Sequence, residues 1–179
     1  MVTTKEYNIP HSRPRVYIVA VRKDSLKHEC VWPDPEKHKK TVGEFLDESN
    51  EDRKYKVHLR AAARKRLKTA LRHITDKGGV ATDFWFVDVD ASDDYLSWVQ
   101  DVCPCVTKSR GANGFYITKL KGMMALEEVM RFQGYDPERL RWKDSGVCRT
   151  SWGHAMGDSM SLNVLSLVLK HACRAAGLI

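Results

Sequence analysis

Strand-forming sequence is scarce in this chain, and the scarcity limits the folds open to it. Three short runs carry the β-branched and aromatic residues that suit a pleated sheet. They are Val16-Tyr17-Ile18-Val19-Ala20-Val21, Phe84-Trp85-Phe86-Val87-Asp88-Val89, and Phe115-Tyr116-Ile117-Thr118 after the turn Gly111-Ala112-Asn113-Gly114. The first is apolar throughout, the pattern of a strand covered on both faces. Three strands are too few for a complete doubly wound sheet. With 179 residues the chain can still bury a core, so length alone does not make it a fragment.

Helical periodicity is clearer. Leu59, Ala63, Leu67, Ala70, Leu71 and Ile74 recur at amphipathic spacing between Val57 and Ile74, and Gly78-Gly79 ends the run. Arg60, Arg64, Lys68 and Arg72 repeat every fourth residue along the same segment, a basic stripe that suits either a solvated face or a phosphate backbone. Leu126 to Phe132 reads as a second helix stopped at Gly134. A third is capped by Ser161, with Leu162, Leu165, Val168, Leu169 and Ala172 as its buried face and Gly177 beyond it. The polar stretch from Arg22 to Asn50 reads as loop, with a turn at Trp32-Pro33-Asp34-Pro35, a basic run from Lys37 to Lys40, and a short helix near Val42 to Leu46.

Thirty Lys and Arg against twenty-three Asp and Glu leave a formal charge of +7, which favours an anionic partner. No stretch approaches the roughly 20 apolar residues that span a bilayer, and Met1 to Pro10 lacks a signal peptide's apolar core, so an intracellular protein away from membranes is expected. Five irregularly spaced cysteines do not form a secreted disulfide framework.

Three blocks carry a family resemblance. His11-Ser12-Arg13-Pro14-Arg15-Val16-Tyr17-Ile18 is similar to Gln-x-Arg-x-Arg followed by a strand, with His11 in place of glutamine. Pro104-Cys105-Val106-Thr107-Lys108-Ser109-Arg110-Gly111, with Glu127-Glu128-Val129-Met130-Arg131-Phe132-Gln133-Gly134-Tyr135 further on, resembles Pro-x-Leu-Thr-x-x-Arg-Gly and Glu-x-x-Arg-Leu-Gln-Gly-Phe. Gly157-Asp158-Ser159-Met160-Ser161-Leu162-Asn163-Val164-Leu165 resembles Gly-Asn-Ala-Met-Ser-Val-Asn-Val-Leu, with Asp158 in place of asparagine. Each block alone is common; their joint order and spacing resemble the C-terminal half of the DNA cytosine-5 methyltransferases. The wording of the second block is most similar to eukaryotic, particularly microalgal, members.

The resemblance implies an α/β fold: the C-terminal part of a Rossmann-like S-adenosylmethionine-dependent methyltransferase fold plus a small mixed α+β target-recognition domain. Residues 1–22 would be a strand region of the catalytic domain, 23–135 the recognition domain, and 136–179 a linker and closing helix. It implies that Arg15 steadies charge developing on a cytosine swung out of double-stranded DNA, and that Arg13 supports the active site. The alternative for both arginines is surface pairing at a strand end. Asp158 and Ser159 inherit the turn that helps close the methyl-donor site, although aspartate loses an amide donor there. Thr107, Arg110 and Arg131 match positions that hold the recognition domain together and meet the DNA backbone in relatives, and Arg110, in its glycine-flanked turn, is the best phosphate candidate. In that context the basic stripe Arg60, Arg64, Lys68 and Arg72 becomes a second candidate for phosphate contact.

Equally informative is what the sequence does not contain. The family nucleophile lies in Pro-Cys-Gln, followed downstream by Glu-Asn-Val, and neither motif occurs. Pro104-Cys105 follows the arginine block instead of preceding it and is followed by Val106, so Cys105 reads as a small, partly buried residue. Cys103, Cys105, Cys148 and His154 match no common zinc spacing. The Phe-x-Gly-x-Gly turn that cradles the donor is also missing, so the S-adenosylmethionine site is incomplete and the chain should be inactive alone. An N-terminal catalytic half or subunit is the implied partner, in the nucleus if the source is eukaryotic. The alternatives are a non-catalytic DNA-binding or regulatory module, or a truncated remnant.

Overall fold

A computed structural model describes residues 2–35, 40–49, 53 and 59–179. Four short strands, β3 (Trp85–Val87), β4 (Trp98–Gln100), β5 (Tyr116–Ile117) and β6 (Gly122–Met123), form an antiparallel sheet in the order β4-β3-β5-β6. A separate two-stranded ribbon joins β1 (Val2–Thr3) to β2 (Pro14–Arg15). The described residues are thus a mixture of α and β, with every strand pair antiparallel.

Period-two alternation divides the sheet's side chains between two apolar clusters. Phe86 and Ile117, paired in register, face the larger cluster with Phe45, Val106, Met130 and Phe132. Phe86 meets Phe132 edge-on at 5.7 Å between ring centroids, and Phe45 stacks on Phe132 at 5.1 Å. Val87 and Tyr116 face the other side, where helix α1 (Ala61–Asp76) lays down Ala63, Leu67 and Ala70. The predicted amphipathic helix is therefore present and ends before Gly78, whose φ of 78° suits glycine. Val57 at its expected start, and Lys37 to Lys39 of the basic run, lie outside the described residues. The short helix expected near Val42 is a 3₁₀ turn over Val42–Phe45, and α3 (Leu126–Phe132) ends before Gly134 at φ 82° as its sequence suggests.

Two helices depart from the expectations. The segment read as a turn at Gly111 is helix α2 (Lys108–Asn113), which closes on Gly114 at φ 75°. The stretch read as linker contains α5 (Arg149–Asp158), after the single turn α4 (Pro137–Leu140). Gly153 and Gly157 obscure α5 because glycine disfavours helix interiors. Their role is close approach: a Cβ on Gly111 would lie 1.9 Å from the Gly153 carbonyl oxygen, one on Gly153 2.4 Å from Ala112 Cα, and one on Gly157 2.3 Å from the Thr107 oxygen. Backbone packs directly on backbone, so the intrinsic cost of these glycines is offset by the contact they permit.

The N-terminal strand also needs correcting. Val16 to Val21 is not part of any sheet, and no backbone hydrogen bond joins it to another described segment. Tyr17 and Val19 turn inward onto Val164 and Val168, whereas Val16 and Ile18 are 71% and 90% exposed. Only one face is covered because no described strand lies beside it. The final helix, α6 (Leu162–Ala175), buries Val164, Val168 and Ala175; of the face expected, Val168 is buried, Leu165 and Ala172 are half-buried, and Leu162 and Leu169 are exposed. Apolar residues occupy most of its circumference, so periodicity alone does not select the face that meets Tyr7 and Tyr17. Ser161 precedes α6, but its hydroxyl is turned to Thr4 and Gln133 instead of capping the helix.

The glycine contact yields a stability test. Gly153→Ala should cost about 3 kcal/mol by urea denaturation, because neither backbone can retreat from the added methyl. Gly43→Ala, where the methyl would meet the Phe84 ring at an ordinary 3.7 Å, should change stability by less than about 1 kcal/mol.

Candidate functional site

The arginine block is held against the Cys103–Val106 segment by a parallel bridge between His11 and Cys103. Cys103 N donates to Pro10 O at 2.8 Å, and Ser12 N donates to Cys103 O at 2.8 Å. Val106 N then donates to His11 Nε2 at 3.3 Å. These bonds fix the register in which Arg13 and Arg15 pass Cys105.

Arg13 is 2% exposed. Its Nη1 donates to Val106 O, and its Nη2 donates to Gly157 O at 2.9 Å and to Ser159 O. One guanidinium thus ties the strand end, the loop before α2 and the C-terminal end of α5, where a cation also suits the helix dipole. Burial first, then the neighbouring Arg15, lowers the Arg13 pKa, yet an arginine starts so high that it keeps its charge.

Arg15 is half-buried, with Nη1 on Pro14 O at 2.7 Å. Its Nη2 and the Nη1 of Arg13 each lie 3.8 Å from Cys105 Sγ. Arg13 therefore links Arg15 and the Asp158-Ser159 segment into one neighbourhood, so the first and last sequence blocks meet in space. Asp158 closes α5 rather than forming a free turn; its exposed carboxylate is 3.9 Å from Lys108 Nζ. Ser159 Oγ donates to Met156 O at 2.9 Å.

The other predicted residues divide into engaged and open. Arg110 sits within α2, and its Nε donates to Asp88 at 2.7 Å in a largely buried ion pair. That engagement differs from the phosphate-facing turn expected of it. Arg131 donates to Phe45 O at 3.3 Å and borders two adjoining clefts. Thr107 is exposed just before α2. Arg60, Arg64, Lys68 and Arg72 are all exposed and have no ion-pair partner among the described residues, whereas Lys65 and Arg66 of the same helix pair with Asp93.

Three groups beneath this surface were given no role by the sequence reading. Glu128 is fully buried, pairs with Arg53, and accepts from the backbone N of Asp47 at 2.9 Å and of Ala125 at 2.7 Å. Gln133, also fully buried, donates to Met156 O at 2.8 Å and accepts from Ser161, which bonds Thr4 at 2.7 Å. His11 is the third. Burial, then Arg13, holds its pKa down at about 3, so the imidazole is neutral. The available signal for all three was their place inside the matched blocks.

A family model for C-5 cytosine-specific DNA methylases matches residues 1–173. No curated protein and no solved structure matches the chain. Because the match spans almost the whole sequence, this chain belongs to the C-5 cytosine-specific DNA methylase family, whose members take the methyl group from S-adenosylmethionine.

Asp158 and Ser159 do not by themselves fit that donor. One carboxylate faces a lysine, and the serine's hydroxyl and carbonyl are both engaged within the chain. Among the described residues, no group of three or more His, Cys, Asp or Glu is arranged to hold a metal ion, and no helix is long and apolar enough to cross a membrane.

His11 sets the sign of an acid effect. Its folded pKa lies below the unfolded value near 6.5, so between these values the unfolded chain binds more protons. The contribution is intact above pH 6.5 and falls by up to about 1.4 kcal/mol per unit as pH drops towards 3. His11→Gln, which puts the family's residue here, should flatten that slope in urea melts between pH 6.5 and 4.5.

Proposed function

We propose that this chain is the C-terminal half of a DNA cytosine-5 methyltransferase, contributing DNA recognition and part of the active site to methyl transfer onto cytosine C5. The observation that carries the reading is the Arg13 clamp, which joins Arg15 to the end of α5 and so unites the first and last family blocks. Arg15 keeps donors free for the ring of an everted cytosine, where its fixed charge would steady the anion that forms. Arg13 supports it from behind. A partner half or subunit supplies the thiol nucleophile, the base-holding glutamate and most of the S-adenosylmethionine site, none of which has its motif in this sequence.

The unpaired segment Val16 to Val21 supports that division. Its open backbone and exposed Val16 and Ile18 suit a strand that completes its pairing in the Rossmann-like sheet of the other half. In this reading residues 1–22 and 136–179 belong to the catalytic domain, and 23–135 form the target-recognition domain. The small cluster of Tyr7, Tyr17, Val19, Val164 and Val168 joins the first two pieces. Double-stranded DNA would lie along Arg60, Arg64, Lys68 and Arg72, with Thr107, Arg110 and Arg131 holding the recognition surface in shape.

A non-catalytic DNA-binding module is favoured by one observation, the internal engagement of Asp158 and Ser159. Co-expression separates the two. The purified chain alone should transfer no methyl group to duplex DNA, and addition of the complementary catalytic half should restore transfer. Arg15→Ala in that assembly should lower kcat/KM by about 100-fold or more. DNA binding without restoration by any half that carries Pro-Cys-Gln and Glu-Asn-Val would sink the enzyme reading.

The stripe has its own readout. Replacing Arg60, Arg64, Lys68 and Arg72 by Gln should reduce the slope of log affinity against log salt by about 0.9 for each phosphate that is no longer neutralised. An unchanged slope would remove α1 from the DNA interface.

A further inference from the structure

The sequence gives Cys105 no part in methyl transfer, yet the fold sets its sulfur beside two guanidiniums. Arg13 Nη1 and Arg15 Nη2 each lie 3.8 Å from Sγ. The backbone on either side is pinned: Cys103 is bridged to Pro10 and Ser12, and Val106 is held by His11 and Arg13. The Cys105 backbone therefore cannot drift from the arginines without breaking several hydrogen bonds. Arg13 is buried with both Nη atoms held by carbonyls, whereas Arg15 is half-buried and has donors with no partner among the described residues.

Such a cluster has two complementary abilities. A guanidinium with free donors captures a carboxylate in a forked pair. A partly exposed thiol beside positive charge is a favourable site for attack on a disulfide. We propose that Cys105 is a thiol-modification site selective for anionic disulfides, with Arg15 docking a carboxylate of the incoming molecule. A tripeptide disulfide such as oxidised glutathione has the required chemistry.

The exchange balances without a further reactant. The Cys105 thiol gives up its proton, and its sulfur bonds one sulfur of the disulfide as the original S–S bond breaks. The departing half leaves as a thiolate and takes up a proton. Cys105 is oxidised to a mixed disulfide while the departing sulfur is reduced, and excess free thiol reverses the reaction. The attached peptide would occupy the space in front of Arg15. Reaction at Cys105 requires no methyl transfer; only its consequence, reversible closure of the site, rests on Arg15 meeting the target base.

The test uses the full chain with oxidised glutathione, which is anionic, and cystamine, which is cationic, each followed by acid quenching and peptide mass mapping. Exposed Cys30 is the internal reference, and fully buried Cys103 stays unmodified while the chain is folded. Relative to Cys30, Cys105 should react about tenfold faster with the anionic disulfide than with the cationic one. Arg15→Gln should abolish that preference and Arg15→Lys should keep it, with Cys103 still protected in both. Failure of Cys105 to react in the folded chain, or a preference that survives Arg15→Gln, would overturn the assignment. Neither result bears on whether a complementary half restores methylation.

Discussion

The Arg13 guanidinium holds backbone carbonyls from two distant parts of the chain, and the surrounding architecture depends on that contact. Val106 O belongs to the loop entering α2, and Gly157 O and Ser159 O belong to the end of α5. Removing the guanidinium would strand buried acceptors, each costing about 1–3 kcal/mol. Its hydrogen bonds also decide where Arg15 stands, because only Pro14 separates the two arginines where the chain enters β2 and His11 fixes their register against Cys103.

Close packing supports this anchor from below. The α2 and α5 backbones approach through Gly111, Gly153 and Gly157, a separation that any larger residue would increase. Polar bonds from Gln133 to Met156 and Ser161, and from Ser161 to Thr4, tie α3, α5, α6 and the N-terminal segment into the same unit. Glu128 anchors the far end of α3 through Arg53 and two backbone amides. Buried charge of this kind adds little net stability but is costly to break, so it favours one arrangement over its alternatives. The result is a rigid support beneath an open arginine surface.

That surface is uneven in how it uses charge. Arg110 and Arg66 are paired with Asp88 and Asp93 and serve the fold, whereas Arg60, Arg64, Lys68 and Arg72 face outward without partners among the described residues. The extended segment after Arg15 is uneven in a second sense, with one side resting on α6 and the other apolar and open. Exposed backbone donors next to exposed valine and isoleucine are a general invitation to strand pairing. Together these features give this member of a DNA methylase family one open cationic face and one open apolar edge.

Local sequence determined the parts whose energetics are local. The α1 periodicity, the stops at Gly78 and Gly134, the β-rich cores of β3 and β5 and the family blocks were all legible, because each depends on neighbours a few residues away or on matched wording. Tertiary contact decided the rest. Whether Val16 to Val21 is paired depends on a strand beside it, which side of α6 is buried depends on Tyr7 and Tyr17, and α5 exists despite two glycines because α2 lies against them. Arg110 could not be read as an ion-pair partner until the fold carried Asp88 to it. Cys105 acquired its two guanidiniums in the same way, since segments some ninety residues apart meet only when long-range packing outweighs the entropy of bringing them together.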